Sequence, residues 1–162
     1  MPCRGVHFGL TSQEDQRLLA AANDAAVVEI LQEEVEERWN EEWLYETDKA
    51  WDAIHRCLVR GSLTTDGSIL SKAILGGRQL YRGSDRFVSY LTQNEVRVVA
   101  KELAAVDECW MRERYAMLQQ HDYDGPANDD DFAYTWEHLQ GLREFLHRAA
   151  AAERPVVFCV DQ

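Results

Sequence analysis

The sequence lacks the short motifs that mark the common nucleotide-binding and hydrolytic sites. Gly76 and Gly77 are followed by Arg-Gln-Leu, whereas a P-loop requires Lys and then Ser or Thr directly after its last glycine. GxGxxG, HExxH and GxSxG do not occur. The sequence therefore gives no support to phosphate binding by a glycine-rich loop or to nucleophilic catalysis, and no catalytic residue is assigned.

Cysteine is sparse, and long apolar segments are absent. The four cysteines stand at positions 3, 57, 109 and 159 without a CxxC pair, so we interpret them as free, mostly buried thiols rather than zinc ligands. No apolar run approaches the roughly 20 residues of a membrane-spanning helix. The first residues, MPCRGVHFGL, also lack the apolar stretch of a signal peptide. We therefore expect a cytoplasmic protein with no membrane partner, metal or cofactor.

Positive charge is scarce. The chain has 17 Lys and Arg against 29 Asp and Glu, so its formal net charge at pH 7 is −12. Such a surface repels phosphate backbones, which disfavours nucleic acids as partners and is more compatible with a basic protein. Nine carboxylates and a single arginine lie between Glu29 and Asp48, so this segment alone carries −8.

The acidic segment has the periodicity of an amphipathic helix. Asp24 can cap it, and Val28, Leu31, Val35 and Trp39 recur at helical spacing, which predicts that they face the core. The candidate interaction face consists of Glu33, Glu36, Glu37 and Glu41. This face is either a solvated helix surface or a docking surface for a cationic partner.

Two capping boxes and several apolar runs predict the other elements. Thr11 with Glu14, and Thr92 with Glu95, each mark a helix start that follows a predicted strand. Strands are predicted over 5–10, in ILGG (74–77), in RFVSYL (86–91) and in VVFCV (156–160), the last internal to a sheet. Helices are predicted over 12–23, 49–60, 93–110 and 132–149. Together these predict a single α+β domain over 1–162, with a small sheet packed against several amphipathic helices.

The double glycine at 76–77 has two interpretations. It is a bulge or bend that needs permissive dihedrals or close backbone approach, or it is a pocket wall where a ligand meets bare backbone. Arg78, Arg82 and Arg86 follow it. They could receive an anion, remain solvated or pair with glutamates of the second helix.

One helix carries the residues from which a pocket could be built. Trp51 and His55 are four residues apart and share a face, and histidine titrates near neutral pH. In one interpretation, His55 acts in a pocket as an acid/base group or a hydrogen-bond donor. In a second interpretation, Asp48 caps the helix, Trp51 belongs to the core and His55 is a satisfied buried imidazole. The candidate pocket comprises Asp48, Lys49, Trp51, His55, Gly76, Gly77 and Arg86.

The acidic loop QHDYDGPANDDD partly matches a calcium-binding loop. Alignment on Gly125 places Asp122, Asp124 and Asp131 at the third, fifth and twelfth positions. Gln120 stands at the first position and Pro126 follows the glycine, so we predict a solvated acidic loop rather than a calcium site.

Four segments form a specific combination: DKAWDAIHRCLVRG at 48–61, AILGG at 73–77, RFVSYLTQNEVRVVAKEL at 86–103 and PVVFCV at 155–160. They resemble the YfbM-like family, a bacterial family known as domain of unknown function 1877, over essentially the whole chain. LTQNE lacks the proline that the family usually has after Thr92, which is a departure at a helix start. RGSDRFV matches the corresponding family segment less well, and this departure lies in a loop. The resemblance implies an α+β fold and a cytoplasmic bacterial protein. It implies no activity, because the family has no established one.

Two functional hypotheses follow from the sequence. The first is a non-catalytic protein-interaction module, an adaptor or an immunity-type neutraliser, whose acidic surface binds a basic protein. The alternative is a small-ligand-binding protein or an enzyme that uses a pocket near Trp51, His55 and Gly76-Gly77.

Overall fold

The structure, a computed structural model, describes residues 4–162, so Cys3 lies outside the described residues. The strands in this range are β1 (Gly5–Gly9), β2 (Leu44–Asp48), β3 (Arg78–Gln79), β4 (Arg86–Leu91) and β5 (Val156–Asp161). The α-helices are α1 (Ser12–Leu19), α2 (Asp24–Ile30), α3 (Ala50–Val59), α4 (Gln93–Ala104), α5 (Glu108–Ala116) and α6 (Asp129–Ala151). Helix α2 continues into a π-helical segment, Leu31–Glu36.

The strands form one antiparallel sheet in the order β2-β1-β5-β4-β3. Strand β5 lies at its centre, where Val157 pairs with Phe8 of β1 on one side and with Tyr90 of β4 on the other. The prediction of an internal last strand is therefore confirmed. The α+β fold class is confirmed as well, because a single sheet carries helices that are not interleaved with parallel strands.

Helices cover both faces of the sheet. Since side chains alternate along a strand, Phe158 and Val160 of β5 join one apolar cluster and Val157 joins the other. The larger cluster is formed with α3, α4, α5 and α6, and the smaller with α1, α2 and the π-helical segment. Apolar residues at helical spacing in the third, fourth and sixth predicted helices are mostly buried in the larger cluster: Trp51, Ile54, Leu58, Val96, Val99, Leu103, Val106, Phe132, Leu139, Leu142, Phe145 and Ala149. Trp110 and Trp136, which continue the same spacing, are only half-buried.

Both predicted capping boxes are present. The hydroxyl oxygens of Thr11 and Thr92 accept the backbone N–H of Glu14 and Glu95, and each glutamate in turn accepts the backbone N–H of its threonine. Each box satisfies two amides that the first turn of a helix leaves without a partner. These local patterns therefore set where β1 passes into α1 and where β4 passes into α4.

The predicted core stripe of the second helix is partly wrong. Leu31 and Val35 are buried, whereas Val28 is half-buried and Trp39 is 46% exposed. For Trp39 the reason is that the helix ends before it: the π-helical segment stops at Glu36, and Trp39 has a left-handed backbone (φ +33°). Asp24 does not cap this helix either, because Asn23 does.

Three further expectations about elements are corrected. Residues 44–48 form β2, which continues to Asp48 (φ +47°), so the helix α3 starts after Lys49 and has no side-chain cap. ILGG is not a strand, since a 3-10 helix over Leu70–Ala73 and a turn precede β3. The helix predicted over 93–110 is two helices, because Asp107 accepts the backbone N–H of Trp110 and starts a new one.

The described cysteines, Cys57, Cys109 and Cys159, are free. Cys57 is buried, and burial raises the pKa of its thiol to about 12. Cys159 is half-buried and Cys109 is exposed on α5, so among the described cysteines the expected burial holds for Cys57 alone. Among residues 4–162, no helix combines the length and the apolar character needed to cross a membrane.

Candidate functional site

A cavity of about 600 Å³ lies on the larger-cluster side of the sheet, where the starts of α3 and α6 meet the loop 121–128 and the end of β5. Its walls include Lys49, Trp51, Asp52, Leu63, Tyr123, Asp124, Pro126, Asp131, Tyr134, Thr135 and Asp161. The volume lies within the usual range of small-molecule sites. Two of the candidate pocket residues from the sequence, Lys49 and Trp51, line it.

Trp51 and Lys49 differ in exposure although they are neighbours in the chain. Trp51 is 4% exposed, and its ring centroid lies 6.1 Å from that of Phe158, so it anchors the cavity wall to the core. Lys49 is exposed at the rim. The first supplies an aromatic surface and the second a positive charge.

Asp48 is held beside the cavity by a tyrosine of α6. The hydroxyl of Tyr134 donates a hydrogen bond of 2.6 Å to the Asp48 carboxylate, and Arg4 Nε lies 3.3 Å from the other oxygen. The hydrogen bond from Tyr134 is the main reason that the pKa of Asp48 is lowered. Burial and the same bond raise the pKa of Tyr134 to about 12, so this phenol is neutral at physiological pH.

Two more tyrosines converge on a single carboxylate. The hydroxyls of Tyr115 and Tyr123 both donate to Asp131 Oδ2, the latter over 2.7 Å. Burial is the main cause of the raised pKa of each phenol, and the bond to Asp131 adds to it. The loop that carries Tyr123 is thereby fixed to the first turn of α6.

Arg56 fixes the same loop to α3. Its guanidinium is buried and lies 2.5 Å from Asp52 and 2.7 Å from Asp122, and it also donates to the Gly61 carbonyl over 3.1 Å. Burial raises the pKa of Asp52 even though the arginine opposes this. The acidic loop is therefore not merely solvated: Asp122 and Asp131 hold it to two helices. Within residues 4–162, no three His, Cys, Asp or Glu side chains are placed to hold a metal ion together.

His55 is not part of this cavity wall. It is fully buried on α3, and its Nε2 lies 3.0 Å from the Thr64 carbonyl oxygen. Burial lowers the pKa of His55, which favours the neutral imidazole. His55 is therefore a buried core imidazole, as in the second interpretation, but only its Nε2 is satisfied, because its Nδ1 is buried without a hydrogen-bond partner among residues 4–162.

The double glycine is a site of close backbone approach. A Cβ on Gly76 would lie 2.6 Å from the Ser71 carbonyl oxygen, and one on Gly77 would lie 2.6 Å from that of Tyr90. The Gly76 N–H donates to the Ser71 carbonyl over 2.8 Å, and the Gly77 N–H donates to Ser89 Oγ over 2.9 Å. Glycine is required here because a side chain would collide with neighbouring backbone.

Gly77 and Arg86 line a second, smaller cavity of about 300 Å³. Arg86 pairs with Asp161 at 3.4 Å rather than with a glutamate of the second helix. The structure thus separates the predicted pocket: Asp48, Lys49 and Trp51 lie at or beside the larger cavity, Gly77 and Arg86 line the smaller, and His55 and Gly76 are structural.

Sequence reasoning missed Tyr123, Asp131 and Tyr134 as cavity residues. Tyr134 meets Asp48 across 86 positions of sequence, and no spacing rule indicates such a pair. Tyr123 and Asp131 stand eight residues apart in the acidic loop, and an aromatic residue within a run of carboxylates was a usable signal.

The acidic face lies on the opposite side of the sheet. The predicted face does not lie on one helix, because Glu33 and Glu36 belong to the π-helical segment and Glu37 ends it, whereas Glu41 begins a separate 3-10 helix, Glu41–Trp43. Glu33, Glu37 and Glu41 are exposed, and none of them has a cationic nitrogen of residues 4–162 within 4.0 Å. Glu36 is half-buried, and burial followed by the neighbouring Asp161 raises its pKa. Trp39, at the end of the π-helical segment, packs edge-to-face on Phe8 with the centroids 6.2 Å apart and remains largely open to solvent.

A groove of about 510 Å³ runs beside this face, between α2 and the loop 81–86. Asp24 fixes that loop, since its carboxylate accepts the backbone N–H groups of Arg82 and Gly83, each over 3.0 Å. The groove is lined by Asp24, Ala25, Val28, Glu29, Gln32, Glu33, Tyr81, Asp85 and Arg86. Its carboxylates outnumber its single arginine.

Comparison with known proteins gives a family and a fold. A family model described as "Domain of unknown function (DUF1877)" matches residues 1–159. The crystal structure of YfbM from Escherichia coli, a protein of unknown function, is similar with a TM-score of 0.73 and 18% sequence identity, over 99% of each chain. At this identity the likeness shows the fold alone. No curated protein matches the sequence.

Proposed function

Because this chain belongs to the DUF1877 family, whose membership assigns no activity, we propose from its own residues that it is a non-catalytic protein-interaction module of the bacterial cytoplasm. It acts as an adaptor or an immunity-type neutraliser, and its partner is a basic protein. The acidic face, formed by Glu33, Glu36, Glu37 and Glu41 with the groove beside it, is the docking surface.

The observation that carries this proposal is the lack of cationic partners on the acidic face. Glu34 pairs with Arg17 at 2.7 Å, but Glu33, Glu37 and Glu41 have no such partner among residues 4–162. Mutual repulsion among unpaired carboxylates is relieved by a complementary positive surface, which also speeds encounter.

Trp39 adds an anchor to this surface. It is an exposed aromatic ring at the end of a run of glutamates, and tryptophan is enriched among the residues that dominate binding energy. Its ring can accept a cationic side chain of the partner by a cation–π contact while neighbouring carboxylates pair with others.

The experiment is a pull-down from the native host with three baits. The parent should retain a basic protein in stoichiometric amount, and Glu33→Lys with Glu37→Lys should lose it. Glu102→Lys with Glu113→Lys is the matched control, because both glutamates are exposed on α4 and α5 and the change in net charge is the same. Equal retention by both double variants would contradict the proposed docking surface.

A second candidate function is small-ligand binding at the larger cavity. The observation that favours it is the wall itself, where Trp51, Tyr123 and Tyr134 line one concave volume beside several aspartates. Aromatic surfaces with a few fixed polar groups are typical of ligand sites.

A further inference from the structure

The side chains around the larger cavity offer many hydrogen-bond acceptors and few free donors. A tyrosine or threonine hydroxyl carries one hydrogen, and three such hydroxyls in the wall already donate it within the protein. Tyr134 donates to Asp48 over 2.6 Å, Tyr123 to Asp131 over 2.7 Å, and the Thr135 hydroxyl to the Asp131 carbonyl over 2.8 Å. These groups retain only lone pairs, and the tyrosines also retain their rings, for a ligand.

Negative charges also outnumber positive charges among the residues that line the cavity. Asp52, Asp124, Asp131 and Asp161 line the cavity against one lysine, Lys49. Asp52 is paired with Arg56 and Asp161 with Arg86, whereas Asp124 is exposed and has no cationic nitrogen of residues 4–162 within 4.0 Å. A carboxylate and aromatic rings facing one concave volume are complementary to a donor-rich cation.

From these placements we propose that the larger cavity binds a small aliphatic ammonium compound, with Asp124 and Asp131 as acceptors and Trp51, Tyr123 and Tyr134 as the aromatic wall. The proposal rests on the second candidate function and specifies its ligand class. A carboxylate or phosphate ligand is disfavoured, because it would meet four carboxylates in the wall, with Lys49 as the one cation and the Gln162 amide as a neutral donor to offset them.

The charge of Lys49 allows the direction of a change in ligand affinity to be predicted. Lys49 contributes the one positive charge among the lining residues and is exposed at the rim, so it opposes the binding of a cation and would assist an anion. Removal of Lys49 and removal of Asp124 should therefore change affinity in opposite directions.

The test is isothermal titration calorimetry with three four-carbon probes of similar shape: 1,4-diaminobutane, 1,4-butanediol and succinate. We expect saturable binding of the diamine, weaker or no binding of the diol, and none of succinate. Asp124→Asn should weaken diamine binding about two- to fivefold and Lys49→Gln should strengthen it about two- to fivefold, the range of an exposed charge pair.

Asp130→Asn is the matched control for general attraction to an acidic protein. Asp130 is exposed on the first turn of α6 and does not line the cavity, so its loss should leave the affinity almost unchanged. The proposal is overturned if the diamine fails to saturate, or if Asp130→Asn weakens it as much as Asp124→Asn. Tighter binding of the diol or of succinate would overturn the ligand class while leaving a small-ligand function for the cavity. None of these outcomes bears on the acidic face, which is tested with a different pair of residues.

Discussion

The two sides of the sheet use their carboxylates in different ways. On the cavity side, Asp48, Asp122 and Asp131 each accept a hydrogen bond from a side chain of another element, and they hold β2, α3, α6 and the loop 121–128 together. On the other side, Glu33 and Glu37 are exposed and have no cationic partner among the described residues. Some carboxylates on this second side also stabilise the fold, since Glu34 pairs with Arg17 and Asp24 accepts two backbone N–H groups. The two sides therefore differ in Glu33 and Glu37, which have no such role among residues 4–162.

This difference predicts where a substitution acts. A change on the cavity side removes contacts that exist within the folded chain, so it lowers the free energy of unfolding. A change on the acidic face removes only repulsion and hydration, so stability changes little and association changes most.

The largest effect is expected at Trp51. Trp51→Ala should lower the free energy of unfolding by about 3–5 kcal/mol, because it leaves a large void beside Phe158 in the core. Urea denaturation measures the change, and Trp51→Phe, which keeps an aromatic ring, should lose less. A midpoint for the alanine variant close to that of the parent would contradict the assignment of Trp51 to the core.

Arg56 is expected to come next. Arg56→Met should cost about 2–3 kcal/mol, because it leaves Asp52 and the Gly61 carbonyl without a charged donor in a largely buried place. Hydrogen exchange of the amides in loop 121–128 should also accelerate, since Asp122 loses its tether. Arg97→Met, on the exposed surface of α4, is the control and should leave both measurements unchanged. Unaltered exchange in the Arg56 variant would contradict its role as a tether.

The third effect is a loss of stability in mild acid. His7 of β1 is buried, its Nε2 lies 2.8 Å from the Ala73 carbonyl oxygen, and burial lowers its pKa from 6.5 to about 4. Between these values the unfolded chain binds a proton that the folded chain does not, so stability is full above pH 6.5 and falls as the pH drops. From pH 7 to pH 5 we expect a loss of about 2 kcal/mol from His7.

Urea denaturation at the two pH values checks this expectation. His7→Gln, whose amide can still donate to Ala73, should show a smaller loss between pH 7 and pH 5 than the parent. The lowered pKa of His55 acts in the same direction and remains in both proteins. Equal slopes for parent and variant would show that His7 is not held neutral in the core.

The smallest effect is expected from calcium. Asp122 and Asp131 are occupied by Arg56 and by two tyrosines, so millimolar calcium should leave the melting temperature unchanged. A site filled one-hundredfold above its dissociation constant would add about 2.7 kcal/mol and would be visible in a thermal scan. An upward shift that Asp124→Ala abolishes would contradict this interpretation of the loop.

The sequence predicted elements that local chemistry determines. The capping boxes at Thr11 and Thr92 and the strands over 86–91 and 156–160 are present, because alternation and side-chain caps act over a few residues. The prediction from sequence failed where a long-range contact or an unusual backbone conformation determines the local structure. The helix ends before Trp39, which leaves this residue outside the core stripe, and β2 forms because it pairs with β1, a strand far from it in the sequence.

The candidate site was predictable to a similar degree. Trp51 and Lys49 were found because they are near neighbours in the sequence at the start of α3, whereas Tyr134 reaches Asp48 only through the packing of α6. His55 and Trp51 are spaced to share a face of α3. In the structure, however, His55 is buried against the Thr64 carbonyl and does not line the cavity. Helical spacing identifies neighbours and leaves open which of them faces a solvent-accessible space.

The measurement that tests the central claim most directly is the association rate of the captured basic partner with Glu33→Lys/Glu37→Lys across a range of salt. We expect this variant to keep its stability within about 0.5 kcal/mol of the parent, since exposed unpaired groups contribute little to folding. Its association rate at low ionic strength should fall about tenfold or more and depend less on salt, as expected when electrostatic steering is removed. Glu102→Lys/Glu113→Lys should retain most of the parent's rate. If the Glu33/Glu37 variant folds normally and associates at the parent's rate in low salt, the acidic face is a solvated surface and the proposed function is wrong.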